Sequence, residues 1–268
     1  MLKSKIFNLL IGVLLSFGFV QNSKSQVLPA HAHNDYLHER PLLDALDCKF
    51  KSIEVDVFSI GDSLFVAHDF DKIKPGSTIR SLYLNPLKKI IQQNNGSVYG
   101  NDEEIILLVD FKNDGLESYK LLHQILEDFK ELLTTYRLGK KEVGAVSVIV
   151  SGNRPFEYMQ NQKLRYAGYD GRISELDAEI PSSLMPLVSD NWNMHFKWRG
   201  EGRIPDNEKE KLTRIANQAH KNGYLLRFWS TPDYPKTERD SVWKELKNAG
   251  VDLIGSDDLK ELQKYLSN

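Results

Sequence analysis

Cysteine is almost absent from this sequence, since Cys48 is the only one among 268 residues. A single cysteine excludes an internal disulfide and a zinc site built from several cysteines. Basic residues are not in excess either, because 35 Lys and Arg stand against 37 Asp and Glu. Nucleic-acid binding through a broad basic surface needs clustered positive charge, so this composition excludes that class of function.

Internal repeats, low-complexity segments and Pro/Gly/Ser-rich linkers are also lacking. Hydrophobic residues make up 41% of the chain and charged residues 27%, which is enough apolar material for a buried core. The length suits one large domain. We therefore predict a single folded domain over residues 26–268.

The first 25 residues differ from the rest of the chain. A short basic start, MLKSK, precedes a nearly continuous apolar run from Ile6 to Val20, and polar QNSKS follows it. This order is typical of a secretory signal peptide with cleavage near Ser25. The alternative is an uncleaved anchor, but a run of about 15 residues is short for the roughly 20 that span a bilayer. We expect an exported protein, periplasmic or secreted after cleavage.

Short apolar runs alternate with longer helical patterns along the remaining chain. The predicted strands are Val27–His31, Ser52–Phe58, Leu64–His68, Ile105–Phe111, Val146–Ser151, Leu164–Tyr169, Leu184–Ser189, Leu225–Trp229 and Leu253–Gly255. The clearest predicted helices are Leu116–Leu138, Asp206–Asn222 and Glu238–Ala249, and glycines end the last two. With Leu64–His68 set aside as a hairpin arm, eight strands remain, which predicts an α/β fold of the (β/α)8 TIM-barrel type.

Acidic side chains occupy the ends of two predicted strands. Glu54 and Asp56 share one strand face, because side chains of a strand alternate between its faces. Two adjacent carboxylates repel each other unless a cation or proton intervenes. Asp110 ends another apolar run, where a buried acid is costly unless it is paired or coordinated. The three predict a site for one divalent cation, Ca²⁺ or Mg²⁺; solvent-facing acids and an Asp110–Lys112 ion pair are the alternatives.

Two histidines frame these acids along the chain. His33 follows the first predicted strand, and His68 closes the hairpin arm. An ordinary pKa near 6.5 suits histidine both as a general acid and as a general base. A histidine on each side of a metal-bound substrate would supply a base for one oxygen and an acid for the other. Lys112 shares a strand face with Asp110, where it would hold phosphate charge.

The joint order of His33, Glu54-x-Asp56, His68-Asp69 and Asp110-x-Lys112 resembles that of glycerophosphodiester phosphodiesterases and phosphatidylinositol phospholipase C-like barrels. Aspartate as the third acid, followed by x-Lys, is similar to the sphingomyelinase D branch. The strings HNDY at 33–36, PL at 41–42 and SLYLNPL at 81–87 resemble the group named for altered inheritance of mitochondria protein six. The resemblance implies a TIM barrel that hydrolyses small-molecule or lipid phosphodiesters with two histidines and a divalent metal.

The sequence departs from the glycerophosphodiesterase pattern directly after the first histidine. Those enzymes have a phosphate-contacting arginine there, whereas this chain has Asn34. Phosphate binding then falls to other side chains, and the candidates are Asn34, Lys112, Arg154, Arg172 and Arg227, with Trp229 on the same strand face as Arg227. A surface ion pair is the alternative for each arginine.

Two other functions fit part of the pattern. His31-Ala32-His33 and Asp257 resemble amidohydrolase barrels, but such sites need further histidines, and only His195 and His220 follow. An exported barrel could instead bind a lipid headgroup or glycan without cleaving it, through the aromatic residues Tyr158, Tyr166, Trp192, Trp198 and Trp229. We expect a phosphodiesterase with no protein or nucleic-acid partner, and transient membrane contact through loops such as Trp192–Gly202.

Overall fold

Eight parallel strands form a closed barrel in the computed structural model, which describes residues 26–268; the predicted signal segment lies outside the described residues. The strands are β1 (Leu28–Ala32), β2 (Phe50–Ile60), β3 (Ile105–Phe111), β4 (Val146–Gly152), β5 (Ala167–Gly171), β6 (Leu187–Asn191), β7 (Leu225–Trp229) and β8 (Leu253–Ser256). Each strand pairs with its neighbour in chain order, and β8 pairs with β1 to close the sheet. The predicted (β/α)8 TIM barrel is confirmed.

Helices connect the strands. They are α1 (Leu43–Asp47), α2 (Asn85–Gln93), α3 (Gly115–Glu127), α4 (Phe156–Gln160), α5 (Trp192–His195), α6 (Asp206–Lys221), α7 (Lys236–Ala249) and α8 (Leu259–Leu266). The predicted ends of α6 and α7 at glycines are confirmed, because Gly223 (φ 78°) and Gly250 (φ 80°) adopt the left-handed conformation that glycine tolerates best. No helix among residues 26–268 is long and apolar enough to cross a bilayer.

Shorter elements complete the described part of the chain. Tight 3₁₀ turns lie at Asp35–Leu37, Phe70–Lys72, Lys130–Leu132 and Ile173–Glu175, and Arg80–Leu84 is a wider π-helical turn that leads into α2. The predicted hairpin arm is strand Ser63–Val66, which runs antiparallel to β2. A small antiparallel sheet joins Thr135–Arg137, Lys140–Glu142 and Leu164–Arg165.

Most predicted boundaries differ from the structure by no more than two residues, and three were wrong by three residues or more. The helix predicted over Leu116–Leu138 ends at Glu127, because the apolar residues beyond it pack in the core as a turn and a strand rather than as further helix. The strand predicted over Leu164–Tyr169 divides, since its first two residues join the small sheet and the barrel strand starts at Ala167. The Leu184–Ser189 strand begins only at Leu187, because a turn built on Pro181 precedes it.

The barrel interior has an apolar and a polar part. The small apolar cluster of Ile106, Leu108, Ile149, Leu187 and Leu253 comes from inward positions low on four strands, β3, β4, β6 and β8. Nearer the carboxyl ends, the inward positions become polar: Asp56 lies opposite Asp110, and Asp110 lies opposite Ser151 in the strand register. The fold therefore places the acidic residues together above an apolar plug, at the end where barrel active sites are built.

Candidate active site

Three carboxylates meet at the carboxyl end of the barrel. Glu54 and Asp56 come from β2 and Asp110 from the adjacent β3, and each offers an oxygen within 4.8 Å of the others'. The strand register explains this convergence, because Asp56 and Asp110 are directly opposite and Glu54 lies one inward step below. The structure thus brings together the three acids that the sequence predicted as metal ligands.

Glu54 is bound on one oxygen by two partners. Arg227 of β7 donates from Nη2 to Glu54 Oε2 over 2.7 Å, and His31 Nε2 lies 2.7 Å from the same oxygen. Burial lowers the pKa of His31 to about 3, so the ring is neutral and donates to Glu54 while Nδ1 accepts from the Ser52 hydroxyl at 2.8 Å. Burial alone would raise the pKa of Glu54, but the Arg227 charge and the His31 hydrogen bond hold it well below its ordinary value.

Asp56 is crowded on one oxygen and unsatisfied on the other. Lys112 Nζ lies 2.9 Å from its Oδ2, the Tyr36 hydroxyl donates to it over 2.7 Å, and His68 Nδ1 is 2.8 Å away. Oδ1 is buried and has no hydrogen-bond partner within residues 26–268. Because a buried unpaired carboxylate oxygen is costly, this atom fits a site completed by a cation.

Lys112 joins the two aspartates. Its Nζ is 3.0 Å from Asp110 Oδ1 as well as 2.9 Å from Asp56 Oδ2. Burial raises the pKa of Asp110, the nearby Lys112 charge opposes that shift, and the negative charge of Asp56 adds to it. The ion pair that the sequence left open is therefore present, and binding of phosphate by Lys112 stays a prediction.

Each predicted histidine is held by a carboxylate. His33 Nδ1 lies 2.7 Å from Asp257 Oδ1, which follows β8, and His68 Nδ1 lies 2.8 Å from Asp56 Oδ2. Burial alone would lower the pKa of His33, but the bond to Asp257 and the charge of Glu54 raise it above its ordinary value. In both rings the bond at Nδ1 leaves Nε2 available for proton transfer.

A chain of polar contacts connects the two histidines. Asn34 Nδ2 lies 3.0 Å from His33 Nδ1, and its Oδ1 lies 2.9 Å from the Tyr36 hydroxyl. That hydroxyl is also 3.4 Å from His68 Nδ1. Sequence reasoning missed Tyr36 as a site residue, although it lies in the HNDY string that marked the resemblance. Asn34 lies beside His33 in this structure, and its predicted contact with phosphate stays untested.

Arg227 and Trp229 line a cavity beside His33. The cavity has a volume of about 190 Å³, and Asp233 and Asp257 form part of its wall. Alternation along β7 placed both predicted side chains on one face, as expected. Arg227 is nearly fully buried and its Nε lacks a partner in the described chain, so part of its guanidinium remains unsatisfied after the bond to Glu54.

Arg172 and Arg154 are bound elsewhere at the barrel mouth. Arg172 Nη1 donates to Asp170 Oδ2 over 2.9 Å, and the Ser151 and Ser189 hydroxyls donate to the same oxygen. Arg154 donates to the Asp170 carbonyl and lies over the Tyr169 ring. The alternative of an ion pair thus applies to Arg172 in this structure, and the phosphate role of both arginines stays a prediction.

The residues of the two alternative functions are mostly engaged or buried. His31 uses both ring nitrogens within the barrel, and His220 pairs with Asp252 at the opposite, amino end. Within the described chain, the only cluster fit to hold a metal contains no histidine. Tyr166, Trp192 and Trp198 are buried, so they offer no ligand-stacking surface.

Comparison with known proteins points to one family. The sequence profile described as "AIM6-like phosphodiesterase domain" matches residues 21–170, more than half of the chain. Altered inheritance of mitochondria protein 6 homolog of Arthroderma benhamiae is 27% identical over 267 residues, covering 89% of this chain and 83% of that protein. Altered inheritance of mitochondria protein 6 of Eremothecium gossypii is 28% identical, covering 88% and 68%. The Saccharomyces cerevisiae (strain YJM789) protein of that name is 27% identical, covering 89% and 70%.

Proposed function

This chain belongs to the AIM6-like phosphodiesterase domain family, and from that premise we propose that it is an exported, metal-dependent phosphoric diester hydrolase. The proposed substrates are glycerophosphodiesters or the headgroup esters of phospholipids. One observation carries the proposal: the three carboxylates converge between His33 and His68. Each of these imidazoles is hydrogen-bonded at Nδ1 to a carboxylate, His33 to Asp257 and His68 to Asp56. Hydrolysis of a phosphodiester uses two such imidazoles, one as the base for the attacking hydroxyl and one as the acid for the leaving alcohol.

The donor set fits a hard divalent cation. Glu54, Asp56 and Asp110 offer only oxygen, the ligand that Ca²⁺ and Mg²⁺ prefer, and Asp56 Oδ1 lacks any other partner in the described residues. When bound there, the cation would supply positive charge to a non-bridging phosphoryl oxygen. Lys112 and Arg227 offset two of the three negative charges, which stabilises the cluster while it is metal-free.

The histidines divide the proton transfers. Nε2 of one imidazole accepts the proton of the attacking hydroxyl as the new bond to phosphorus forms. Nε2 of the other donates a proton to the leaving alcohol as its bond to phosphorus breaks. The attacking hydroxyl belongs to water or to a neighbouring hydroxyl of the substrate, which would have a high effective concentration and produce a cyclic phosphate. Asp257 and Asp56 fix the ring orientation throughout.

Exposed apolar side chains around the mouth support a phospholipid as the substrate. Leu37, Phe70, Met194 and Tyr234 are 67% to 81% exposed. They lie on four separate connections that follow β1, β2, β6 and β7, so all of them are at the carboxyl end of the barrel. We call these four residues the apolar rim. Isolated side chains on separate connections can each enter a bilayer surface that lies across the mouth.

We expect polar substitutions in the apolar rim to weaken vesicle binding. Burial of one such side chain contributes about 1.5–3 kcal/mol, so Phe70→Ser with Tyr234→Ser should lower the affinity for phosphatidylcholine/phosphatidylglycerol vesicles by about 100-fold or more. Vesicle co-sedimentation measures this. The matched control is Leu138→Ser with Val143→Ser, since those residues are equally exposed but lie near the small antiparallel sheet. Equal binding by both double variants would contradict a lipid-facing rim.

A substrate panel tests the activity itself. Glycerophosphocholine, glycerophosphoinositol, phosphatidylinositol, sphingomyelin and lysophospholipids would be supplied with Mg²⁺ or Ca²⁺, and then with a chelator. We expect metal-dependent release of an alcohol or a phosphorylated headgroup from at least one of them. No turnover on any member of the panel would favour a barrel that binds headgroups without cleaving them.

A further inference from the structure

Asp35 is a fully buried carboxylate that takes no part in the proposed chemistry. Its Oδ2 accepts the Leu42 backbone N–H over 2.6 Å and the Tyr83 hydroxyl over 2.9 Å. Burial raises the pKa of Asp35 to about 6, and the two hydrogen bonds oppose that shift. The group is thus mainly ionised at neutral pH, where a carboxylate accepts stronger hydrogen bonds than a neutral acid would.

The segment that Asp35 anchors has a positive φ angle at both ends. Asn34 has φ 48°, which asparagine tolerates better than most residues, and Leu42 has φ 68°, which a residue with a large side chain rarely adopts. Such conformations persist only where surrounding contacts impose them. The hydrogen bond from Leu42 to Asp35 connects the two ends of this segment, and Tyr83 ties it to the body of the protein.

The residues on either side of Asp35 contact different groups of the candidate active site. Nδ2 of Asn34 lies 3.0 Å from Nδ1 of His33. Tyr36 donates to Asp56 over 2.7 Å and lies 3.4 Å from His68. The side chains at 34 and 36 can make these contacts together only if the backbone at residue 35 keeps its place.

We propose that Asp35 is a positioning residue: it holds the 34–42 segment so that Asn34 stays beside the His33 ring while Tyr36 orients Asp56 and His68. The inference rests on the proposed function, since it assigns Asp35 a part in the same reaction. Asp35 touches neither substrate nor metal ligand and acts only through its neighbours in the chain.

Asp35→Asn tests the proposal against a matched control. The variant keeps the size of the side chain and one oxygen for both hydrogen bonds, but it loses the negative charge that strengthens them. We therefore expect kcat to fall about tenfold or more with KM nearly unchanged, as misplaced catalytic groups would cause. Asp252→Asn is the control, because Asp252 also accepts a backbone N–H (Leu226) and contacts a side chain (His220), both over 2.8 Å, at the far end of the barrel. Equal kinetic losses in the two variants would overturn the proposal.

Coupling to Tyr36 separates positioning from general destabilisation. If Asp35 acts partly through Tyr36, the loss in Asp35→Asn/Tyr36→Phe should be smaller than the product of the two single losses. Fully multiplicative losses would count against it. Should Asp35→Asn fail to fold, Tyr83→Phe removes one of the two donors to the carboxylate and should give the same effect more weakly; unchanged kinetics there would be evidence against the anchor.

A readout without turnover keeps the inference separate from the proposed function. The imidazole resonances of His33 and His68 in NMR spectra should shift in Asp35→Asn and stay in place in Asp252→Asn. Shifted resonances in a protein that hydrolyses no panel substrate would support the positioning role while the proposed function fails. Unshifted resonances would overturn the positioning role whatever the activity.

Discussion

Replacing either His33 or His68 with alanine should lower turnover by about 100- to 10,000-fold, the usual contribution of a positioned general acid or base. The two side chains are 38% and 56% exposed, so their loss leaves no large cavity in the core. We therefore expect the thermal unfolding temperature to change little. Steady-state hydrolysis of the best panel substrate, with unfolding followed by circular dichroism, measures both quantities.

His220→Ala provides the control for both variants. Its ring is 41% exposed and lies 2.8 Å from the Asp252 carboxylate, so it repeats the histidine–carboxylate arrangement at the amino end of the barrel. Loss of that histidine should leave hydrolysis unchanged. Near-wild-type hydrolysis by both His33→Ala and His68→Ala would contradict the two-histidine mechanism.

Removal of the divalent cation should abolish hydrolysis and leave the protein folded. Charge stabilisation at phosphorus is worth several kcal/mol, so we expect at least about a 100-fold loss in chelator and recovery with Mg²⁺ or Ca²⁺. The fold should persist because Lys112 and Arg227 offset the charge of the acids. Recovery with zinc alone would instead favour amidohydrolase-type chemistry.

Asp110→Asn is the cleanest change to the acidic cluster. Asp110 pairs with Lys112 alone among the described residues, whereas Asp56 contacts Tyr36, His68 and Lys112, and Glu54 binds both Arg227 and His31. Changing Asp56 or Glu54 would therefore disturb more groups. Titration calorimetry should show weaker Mg²⁺ or Ca²⁺ binding to Asp110→Asn. Asp190→Asn alters another carboxylate at the mouth, outside the cluster, and should keep its affinity. Equal affinity in the Asp110 and Asp190 variants would remove Asp110 from the proposed site.

Much of the acidic cluster could be predicted because period-two alternation is strong in buried strands. Alternation placed Glu54 and Asp56 on one strand face, and Asp110 was predicted because it ends a continuous apolar run. The end of α3 could not be predicted in the same way. Residues 129–133 continue an apolar pattern that suits a helix, but burial against the sheet holds them in a tight turn and an isolated bridge from Leu133 to Val146. Tertiary packing overrode local periodicity there.

Contacts between residues far apart in the chain could not be predicted from local sequence patterns. The salt bridge from Arg227 to Glu54 joins residues 173 positions apart, and Asp257 reaches His33 across 224 positions. Alternation says which face a side chain occupies, but only closure of the barrel decides which strand lies opposite. For the same reason Arg227, a phosphate candidate in the sequence, is bound to Glu54 in the folded protein.

The sequence alone determined the eight-stranded barrel and the identities of the three acids and two histidines at one end of it. These follow from hydrophobic periodicity and residue order, which are local properties of the chain. Only the tertiary structure decided the partners: Asp257 for His33, Tyr36 for Asp56, and the buried Asp35 as anchor of the segment between them. Hydrogen bonds depend on distances of about 3 Å, and those distances exist only once the sheet has closed.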